Sequence, residues 1–370
     1  MTTGVVGYYV HHHGTGHARR AATIAPHLRH PLTVLSSAAL DPADFPAGSE
    51  LVPLPPDHDP AQVPVDPTAK GALHWAPVGS GLLQPRAAAL VGWLSRPSSR
   101  VLVCDVSVEA ALLARLCGVA PIVVHQTGQR DDPPHRLGAD VAVGRLCPYP
   151  EVLEHDDMPP EERSRSFYTG LLAPPRPVVS PAEARRRLGL GTEEVVLVAV
   201  GGGGHRFDPA SLPAIARALP GWRIRVVGPF DPDPDPDPHP HPSPGEGDGS
   251  WEVLGWVPDL GPHLAAADVV VASAGSNLVA EVAAAGRPLV CVAEERPFAE
   301  QEVRAQRLDA LGLAAATSAW PEPEAWPALV ARARDRGGAG LQRLVDPDAA
   351  ARAAAWIDAI ADDPSRPCSA

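Results

Sequence analysis

Residues 267–288 read ADVVVASAGSNLVAEVAAAGRP, and this stretch decides the fold. An apolar run at 269–272 is followed by small polar residues, and then by apolar residues at helical spacing over 276–285. A buried strand that passes through a tight turn into a helix is the repeating unit of a parallel sheet. The stretch therefore predicts an α/β fold.

The same alternation of strand and helix extends in both directions from this stretch. In the second half it predicts strands at 195–200, 223–227, 251–254 and 289–292, and helices at 209–219, 260–266 and 299–311. In the first half it predicts strands at 5–10, 32–35, 101–104, 121–125 and 141–143, and helices at 17–28 and 106–116. We therefore predict two doubly wound, Rossmann-like parallel-sheet domains.

The length of 370 residues suits two domains of roughly 150 residues plus connections. The stretch 171–181 is rich in proline, which disfavours helix, so we place the interdomain linker there. The predicted segments are a first domain at 1–172, a second domain at 173–346, and a C-terminal helix and tail at 347–370. Residues 54–85 are predicted to form long loops, with a short helix near His74 and Trp75.

The composition excludes several classes of protein. The formal net charge of −13 disfavours binding to nucleic acid, which needs a basic stripe to replace phosphate counterions. No apolar run is long enough to span a bilayer, and the N-terminus lacks the features of a secretory signal. The five cysteines are scattered, without disulfide or metal-knuckle spacing. We therefore expect a cytoplasmic protein without a transmembrane segment.

Residues 230–250 form a low-complexity tract in which Asp-Pro and His-Pro dipeptides alternate. Asp231 and Asp233 formally match an Asp-x-Asp metal motif, and His239 with His241 could suggest metal capture. Proline at every second position blocks helix and ladder hydrogen bonding, so we favour an acidic, solvated loop over a metal site. We predict no metal and no cofactor for this chain.

A glycine-containing turn links the first predicted strand to the first helix. Gly14, Thr15 and Gly16 let a ligand approach the backbone, and the N-terminus of the following helix favours an anion. His17 lies in the first helical turn, at the sheet edge where doubly wound folds bind ligands. Because histidine titrates near neutrality, His17 is a candidate general base; a capping or structural histidine is the alternative.

Two small-residue turns follow strands of the second half. The first is a run of four glycines: Gly201, Gly202, Gly203 and Gly204. It is a candidate phosphate-binding turn, with a merely flexible loop as the alternative. In the second turn, Ser276 is predicted to cap the helix, Gly275 allows close approach, and Glu281 could accept ribose hydroxyls. Together with Ser273 and Asn277, these residues predict a nucleotide pocket.

Residues 267–288 closely resemble the C-terminal donor-binding motif of glycosyltransferase family 28, whose members have the GT-B architecture. The resemblance implies that the glycine run holds the donor diphosphate and that Glu281 binds the ribose. It also implies that Trp256 and Val257 receive the base and that Gln301 contacts the sugar. The donor would be a nucleotide sugar, and a UDP-sugar fits the family best.

Only short islands of the first half share this resemblance. Residues 14–17 look like the family's N-terminal glycine-rich turn, and His125 with Gln126 looks like its loop on the acceptor side. The resemblance therefore implies that the first domain contacts an acceptor, whose identity stays open. Peripheral contact with a membrane is compatible with the sequence.

The sequence thus predicts a metal-independent glycosyltransferase that moves a sugar to an acceptor hydroxyl, with His17 as general base. Residues 16–20 also resemble the Gly-His-x-x-Arg turn of a nucleotide-sugar hydrolase of the same architecture. An epimerase shares that architecture too. A non-catalytic protein that only binds nucleotide sugars is the remaining alternative.

Overall fold

The structure is a computed structural model that describes residues 4–12, 14–156, 158–174, 179–202, 204–228 and 250–364. The chain divides into two compact units, which are unit 1 (Met1–Leu172 with Asp346–Ala370) and unit 2 (Ala173–Val345). The predicted α/β class with two doubly wound parallel sheets is confirmed. Gly203 and residues 229–249, which contain the Asp-Pro and His-Pro dipeptides, lie outside the described residues.

Unit 1 is built on a parallel sheet. Its strands are β1 (Val5–Val10), β2 (Leu32–Ser36), β3 (Glu50–Pro53), β4 (Ser99–Asp105), β5 (Ala120–Val124), β6 (Gly144–Cys147) and β7 (Ser166–Tyr168). Its helices up to the unit boundary are α1 (Gly16–Ile24), α2 (Leu83–Leu94), α3 (Val108–Leu116), α4 (Pro133–Val141) and α5 (Pro160–Ser164). The described strands lie in the order β3-β2-β1-β4-β5-β6-β7.

Unit 2 repeats this architecture. Its strands are β8 (Glu194–Ala199), β9 (Trp222–Val227), β10 (Trp251–Gly255), β11 (Val269–Ser273), β12 (Leu289–Val292) and β13 (Ala315–Thr317). Its helices are α6 (Pro181–Arg187), α7 (Leu212–Ala218), α8 (Gly261–Ala266), α9 (Ser276–Ala284), α10 (Glu300–Ala310), α11 (Trp326–Arg336) and α12 (Ala339–Gln342). The strands that the structure describes lie in the order β10-β9-β8-β11-β12-β13.

The last helix, α13 (Ala349–Asp362), packs on unit 1. Its Ala353 and Ile357 side chains are fully buried in the same core as side chains of β1 and β4. The buried carboxylate of Asp358 accepts hydrogen bonds from the backbone N–H groups of Arg29, at 2.9 Å, and His30, at 3.3 Å. The C-terminal helix is therefore part of the fold of unit 1.

The sheets follow the apolar pattern because both faces are covered. In β11 every residue is buried, and in β8 every residue after Glu194 is buried, as expected for central parallel strands. The strand predicted at 141–143 is wrong. Asp132 caps α4 by accepting the backbone N–H of His135 at 2.9 Å, and the helix then continues through Val141.

The long loop between β3 and α2 contains no short helix. His74 and Trp75 lie in a bend, and both backbone N–H groups donate to Glu109 Oε1, at 2.8 and 3.1 Å. This single carboxylate on α3 replaces the hydrogen bonds that a helical turn would have made. In the part of the chain that the structure describes, no helix combines the length and the apolar character needed to cross a bilayer.

Each sheet has one point at which the strand order reverses. In unit 1 this point lies between β1 and β4, and in unit 2 it lies between β8 and β11. Loops that follow these strands diverge to opposite faces of the sheet and leave a crevice between them. The glycine turns singled out in the sequence follow β1, β8 and β11, so they lie at these two reversal points.

Candidate functional site

At the reversal point of unit 1, His17 meets a carboxylate that the sequence analysis did not identify. His17 is the second residue of α1, and Asp105 is the last residue of β4. The two side chains lie 2.9 Å apart, between His17 Nδ1 and Asp105 Oδ1. The sequence places them 88 residues apart, but the sheet order brings the ends of β1 and β4 together.

Asp105 is fully buried and held by two further donors. Arg20 Nη1 lies 2.6 and 2.8 Å from its two carboxylate oxygens, and the Tyr8 hydroxyl donates at 3.4 Å. Burial alone would raise the pKa of Asp105, but the charge of Arg20 and the contact with His17 outweigh it, so this pKa lies below its usual value. Asp105 is therefore a carboxylate anion at neutral pH.

The contact with Asp105 fixes the orientation of the His17 ring. A carboxylate that accepts from Nδ1 fixes the ring proton there and leaves the lone pair on Nε2. His17 retains 17% exposure of its side chain, whereas Asp105 has none, so a ligand can reach the imidazole but not the carboxylate. The arrangement has the base and orienting partner that general-base chemistry needs.

The backbone around this pair is tightly constrained. Gly14 has a φ of 73°, a left-handed conformation that suits glycine. Val106, directly after Asp105, has a φ of 61°, which is a strained conformation for a β-branched residue. Such strain persists only where the surrounding structure enforces it, and it is concentrated at functional sites. Thr15 and Gly16 complete the turn into α1.

A second histidine–carboxylate pair follows β5 and precedes α5. His125 Nε2 lies 3.8 Å from Glu154 Oε2, and burial lowers the pKa of His125 to about 4. Glu154 accepts hydrogen bonds from the hydroxyl groups of Tyr149, at 2.7 Å, and Tyr168, at 3.1 Å. Gln126, the neighbour of His125, is buried. His125 is therefore a neutral ring at physiological pH.

His125 lines a cavity of about 550 Å³ in unit 1. Val106 and Ser107 form another part of its wall, and Arg130 and His135 a third. A volume of this size is typical of small-molecule sites. The wall combines apolar groups with arginine and histidine side chains, so it suits a ligand that has both apolar and polar parts.

At the reversal point of unit 2, small residues come together instead of charges. Gly201 follows β8, Ser273 ends β11, and Gly275 opens α9. A β-carbon added at Gly201 would lie 3.6 Å from Ser273 Oγ, and one added at Gly275 would lie 3.9 Å from both Ser273 Oγ and Gln301 Nε2. The N-terminus of α9 and the half-buried backbone of the two glycines can bind an anion here.

Gln301 is held in place by its other amide atom. The backbone N–H of Glu294 donates to Gln301 Oε1 at 3.1 Å, which leaves Nε2 on the side of Gly275. Glu294 itself is buried and accepts the indole N–H of Trp320 at 2.5 Å. Two residues before Gln301, Ala299 adopts a left-handed φ of 50° that directs the chain into α10.

The remaining predicted donor-side residues are distributed along unit 2. Glu281 lies on α9 and is 5% exposed, whereas Trp256 after β10 is 59% exposed. The loop after β8 contains Gly202 and Gly204, the loop after β10 contains Val257, and α9 contains Asn277. The prediction that Ser276 caps α9 is wrong: Gly275 holds the N-cap position, and Ser276 is the first residue of the helix. The small turn begins the helix one residue earlier than hydroxyl capping would.

Comparison with known sequences finds a family match within unit 2. Residues 237–319 match the profile of the glycosyltransferase family 28 C-terminal domain, so the predicted resemblance to that family is confirmed. A curated relative from Moorella thermoacetica is 30% identical over 197 residues. It is a UDP-N-acetylglucosamine–N-acetylmuramyl-(pentapeptide) pyrophosphoryl-undecaprenol N-acetylglucosamine transferase. The match covers 50% of this chain and 51% of the relative, so the chain spans about half of that protein.

Solved structures of the GT-B architecture match almost the whole chain. The alignment with a calicheamicin glycosyltransferase has a TM-score of 0.65 at 19% identity, and it covers 99% of this chain and 100% of that protein. MurG from Acinetobacter baumannii has a TM-score of 0.62 at 14% identity, with coverage of 96% and 99%. At these identities the likeness establishes the GT-B fold.

Proposed function

We propose that this chain, which has a GT-B fold and a family 28 C-terminal domain, is a glycosyltransferase that uses a nucleotide-sugar donor. The observation that carries the proposal is the pairing of His17 with the buried carboxylate of Asp105. A surface histidine that only caps a helix has no need of a buried, ionised partner. A base that must become positively charged during the reaction does need one.

The proposed reaction follows from this geometry. His17 Nε2 takes the proton of an acceptor hydroxyl while the oxygen attacks the anomeric carbon of the donor sugar. The bond from the anomeric carbon to the diphosphate oxygen breaks, and the nucleoside diphosphate leaves with the bonding electrons. Asp105 stabilises the imidazolium that forms, and Arg20 keeps Asp105 ionised. The proton then passes from His17 to solvent.

Unit 2 is proposed to bind the donor. The N-terminus of α9 and the backbone beside Gly201 offer N–H donors to the diphosphate, where negative charge grows as the bond breaks. Gln301 Nε2, fixed by the backbone of Glu294, is proposed to donate to a sugar hydroxyl. Glu281 is proposed to accept ribose hydroxyls. The same proposal includes a UDP-sugar donor, a reaction that needs no metal ion and a cytoplasmic location.

Hydrolysis of the donor is the second candidate function. It is favoured by the Gly-His-x-x-Arg pattern of residues 16–20, because Arg20 belongs to the same buried network as His17. Water would then take the place of the acceptor hydroxyl. A transferase needs an acceptor for turnover, whereas a hydrolase releases free sugar from the donor alone.

The test is a panel of UDP-, dTDP- and GDP-sugars, assayed for nucleoside diphosphate release with and without candidate acceptor alcohols. His17→Ala is expected to lower turnover by about 10²- to 10⁴-fold, the contribution of a positioned base. Its affinity for UDP, measured by calorimetry, should stay unchanged, since the donor is assigned to unit 2.

His27→Ala provides the matched control, because His27 is an exposed histidine ten residues further along the same segment. It should retain full turnover. If His17→Ala keeps its turnover as well, His17 is not the base. If His17→Ala does not fold, the residue is structural, and the proposed role is wrong.

A further inference from the structure

Outside this site, three metal-ligating side chains converge in unit 1. His135 Nδ1 lies 2.6 Å from Asp132 Oδ1, and His74 Nε2 lies 3.1 Å from Asp132 Oδ2. The ligand atoms of the three residues all lie within 4.8 Å of one another. We propose that His74, Asp132 and His135 bind a zinc ion that fastens the long loop after β3 to α4.

The chemistry of the three ligands fits zinc. Two imidazole nitrogens and one carboxylate oxygen form a common zinc ligand set, which leaves a fourth position for water or a ligand. Ligand atoms about 3.3 Å apart surround a tetrahedral zinc ion at bond lengths near 2.0–2.1 Å. The His74 and His135 rings are inclined at 62° with centroids 4.5 Å apart, so they are not stacked in parallel planes.

The sequence alone could not reveal this group. Asp132 and His135 lie three residues apart at the start of α4, but His74 is 58 residues before Asp132. The loop reaches α4 because Glu109 on α3 holds the backbone of His74 and Trp75. The proposal departs from the expectation of a protein without metal, and it assigns the ion no part in sugar transfer.

A second histidine group in the described part of unit 1 is less suited to a metal. His11 and His12 are stacked with centroids 4.8 Å apart and an interplanar angle of 16°. Nearly parallel rings direct their lone pairs in parallel, not towards one centre. In this group the guanidinium of Arg86 lies 3.6 Å from the carboxylate of the third member, Asp57, so it competes with a cation for the ligand itself, whereas Arg130 faces the ring nitrogen of His135 that would not bind the ion. This group therefore serves as an internal comparison.

The contact between Arg130 and His135 provides a further test of the zinc site. Its Nη1 lies 2.9 Å from His135 Nε2, so without metal the ring accepts there and donates to Asp132 through Nδ1. Zinc on Nδ1 requires the ring proton on Nε2, where it would face an Arg130 N–H. Two donors at this distance repel each other, so Arg130 opposes zinc binding. Removing the guanidinium should therefore tighten the site.

Zinc binding would also affect the cavity, because both Arg130 and His135 line it. The ion would move the Arg130 guanidinium away from His135 and fix one wall against the loop. The loop would then open less often, because the ion adds a link between two segments that are otherwise joined by hydrogen bonds.

The experiment is a titration of the metal-stripped full chain with zinc alone by calorimetry, and with cobalt to follow its visible absorption. Wild type is expected to show a stoichiometric site that Asp132→Asn and His135→Ala weaken by about 100-fold or more, beyond the range for outer-shell changes. Asn keeps the capping ability of Asp132, so this variant should fold. Arg130→Met should tighten the site by about 10-fold.

His58→Ala and His12→Ala are the controls. His58 is an exposed histidine of the same loop, and His12 belongs to the second group. Both should retain the site, and zinc should raise the melting temperature of wild type but not of His135→Ala. Binding that persists in His135→Ala, or that falls only in His12→Ala, would assign the ion to another histidine stretch and overturn the proposal. So would an absence of stoichiometric binding to wild type.

Discussion

The two reversal points occupy the same position in two sheets of matching strand order, but their residues differ in charge and size. In unit 1 the edge holds a buried ionised carboxylate, Asp105, between Arg20 and His17. In unit 2 it holds three small residues that lie close together: Gly201, Ser273 and Gly275. The topology therefore creates the crevice in both units, and the side chains decide its chemistry.

This difference separates two tasks. A base needs a low-dielectric setting in which a fixed negative charge can stabilise a new positive one. A diphosphate needs backbone N–H groups and room for close approach, which bulky or anionic side chains would remove. This division of tasks predicts that mutations at the reversal point of unit 1 change turnover and that mutations at the reversal point of unit 2 change nucleotide affinity.

The largest effect is expected from Asp105→Asn. An amide can donate to His17 Nδ1 and hold the wrong tautomer, so kcat should fall by about 10⁴-fold while UDP affinity stays the same. The change also leaves Arg20 buried without its anion, which should lower the free energy of unfolding by about 3–5 kcal/mol. Steady-state kinetics, calorimetry and urea unfolding measure the three quantities.

A second substitution separates stability from catalysis in this variant. Adding Arg20→Met removes the buried positive charge that has lost the Asp105 carboxylate, and it is expected to recover most of the lost stability without recovering turnover. Turnover that returns together with stability would mean that Asp105 has only a structural role. The assignment of the base to unit 1 would then be wrong.

Glu281→Ala tests the nucleotide side. Loss of a hydrogen bond from ribose to a charged acceptor should weaken UDP binding by about 1–3 kcal/mol. Wild type should bind 2′-deoxy-UDP more weakly than UDP, whereas Glu281→Ala should bind the two nucleotides with similar affinity. Glu295→Ala, at an exposed glutamate of the same unit, is the control. An unchanged UDP affinity in Glu281→Ala would remove the residue from the site.

The pKa of His125 leads to a pH test of unit 1. This pKa is about 4 in the folded protein and near 6.5 in the unfolded chain, so the unfolded chain takes up the proton first as pH falls. Above pH 6.5 the ring is neutral in both states and does not oppose folding. As pH falls from 6.5 towards 4, protonation of the ring in the unfolded chain lowers the free energy of unfolding. Between pH 7 and pH 5 wild type should lose about 2 kcal/mol of unfolding free energy more than His125→Gln does.

Urea unfolding at the two pH values measures this difference, and His27→Gln serves as the control because His27 is exposed. The control should lose as much stability as wild type. Equal pH dependence in wild type and His125→Gln would show that the ring is not held neutral by burial.

The smallest effect is expected from Gly201→Ala. A β-carbon there meets Ser273 Oγ at 3.6 Å, an ordinary contact, so the free energy of unfolding should not fall. The methyl group would nevertheless stand where the diphosphate approaches, and UDP affinity should drop by about 10-fold, or 1.4 kcal/mol. Gly81→Ala, at a site with no neighbour within 4 Å, should change neither quantity. A loss of stability without a loss of affinity would contradict a binding role.

Local pattern predicted the fold class and most of the central strands. The continuous apolar runs of β8 and β11 leave few alternatives, because both faces of these strands are buried. The pattern failed where polarity and burial diverge. β6 contains Arg145, which is buried and paired with Glu162, so the strand lacks the apolar run that would have predicted it.

The sequence predicts which candidate site residues lie together where one turn holds them, but not where the order of strands in the sheet brings them together. The small residues from Ser273 to Ser276 are contiguous, whereas Asp105 reaches His17 only through the adjacency of β1 and β4. One signal was present in the sequence. Asp105 is an acidic residue at the end of an apolar strand, and in a doubly wound sheet that position borders the turn after the first strand.

The return of α13 to unit 1 has a consequence for how the chain is made. Ribosomes add roughly 5–20 residues per second, so about 190 residues, or roughly 10–40 s, separate the end of β7 from the end of α13. During that interval the first unit lacks the helix that covers part of its apolar core, while unit 2 emerges as one uninterrupted stretch. The half of the protein that is synthesised first is therefore the half that is completed last.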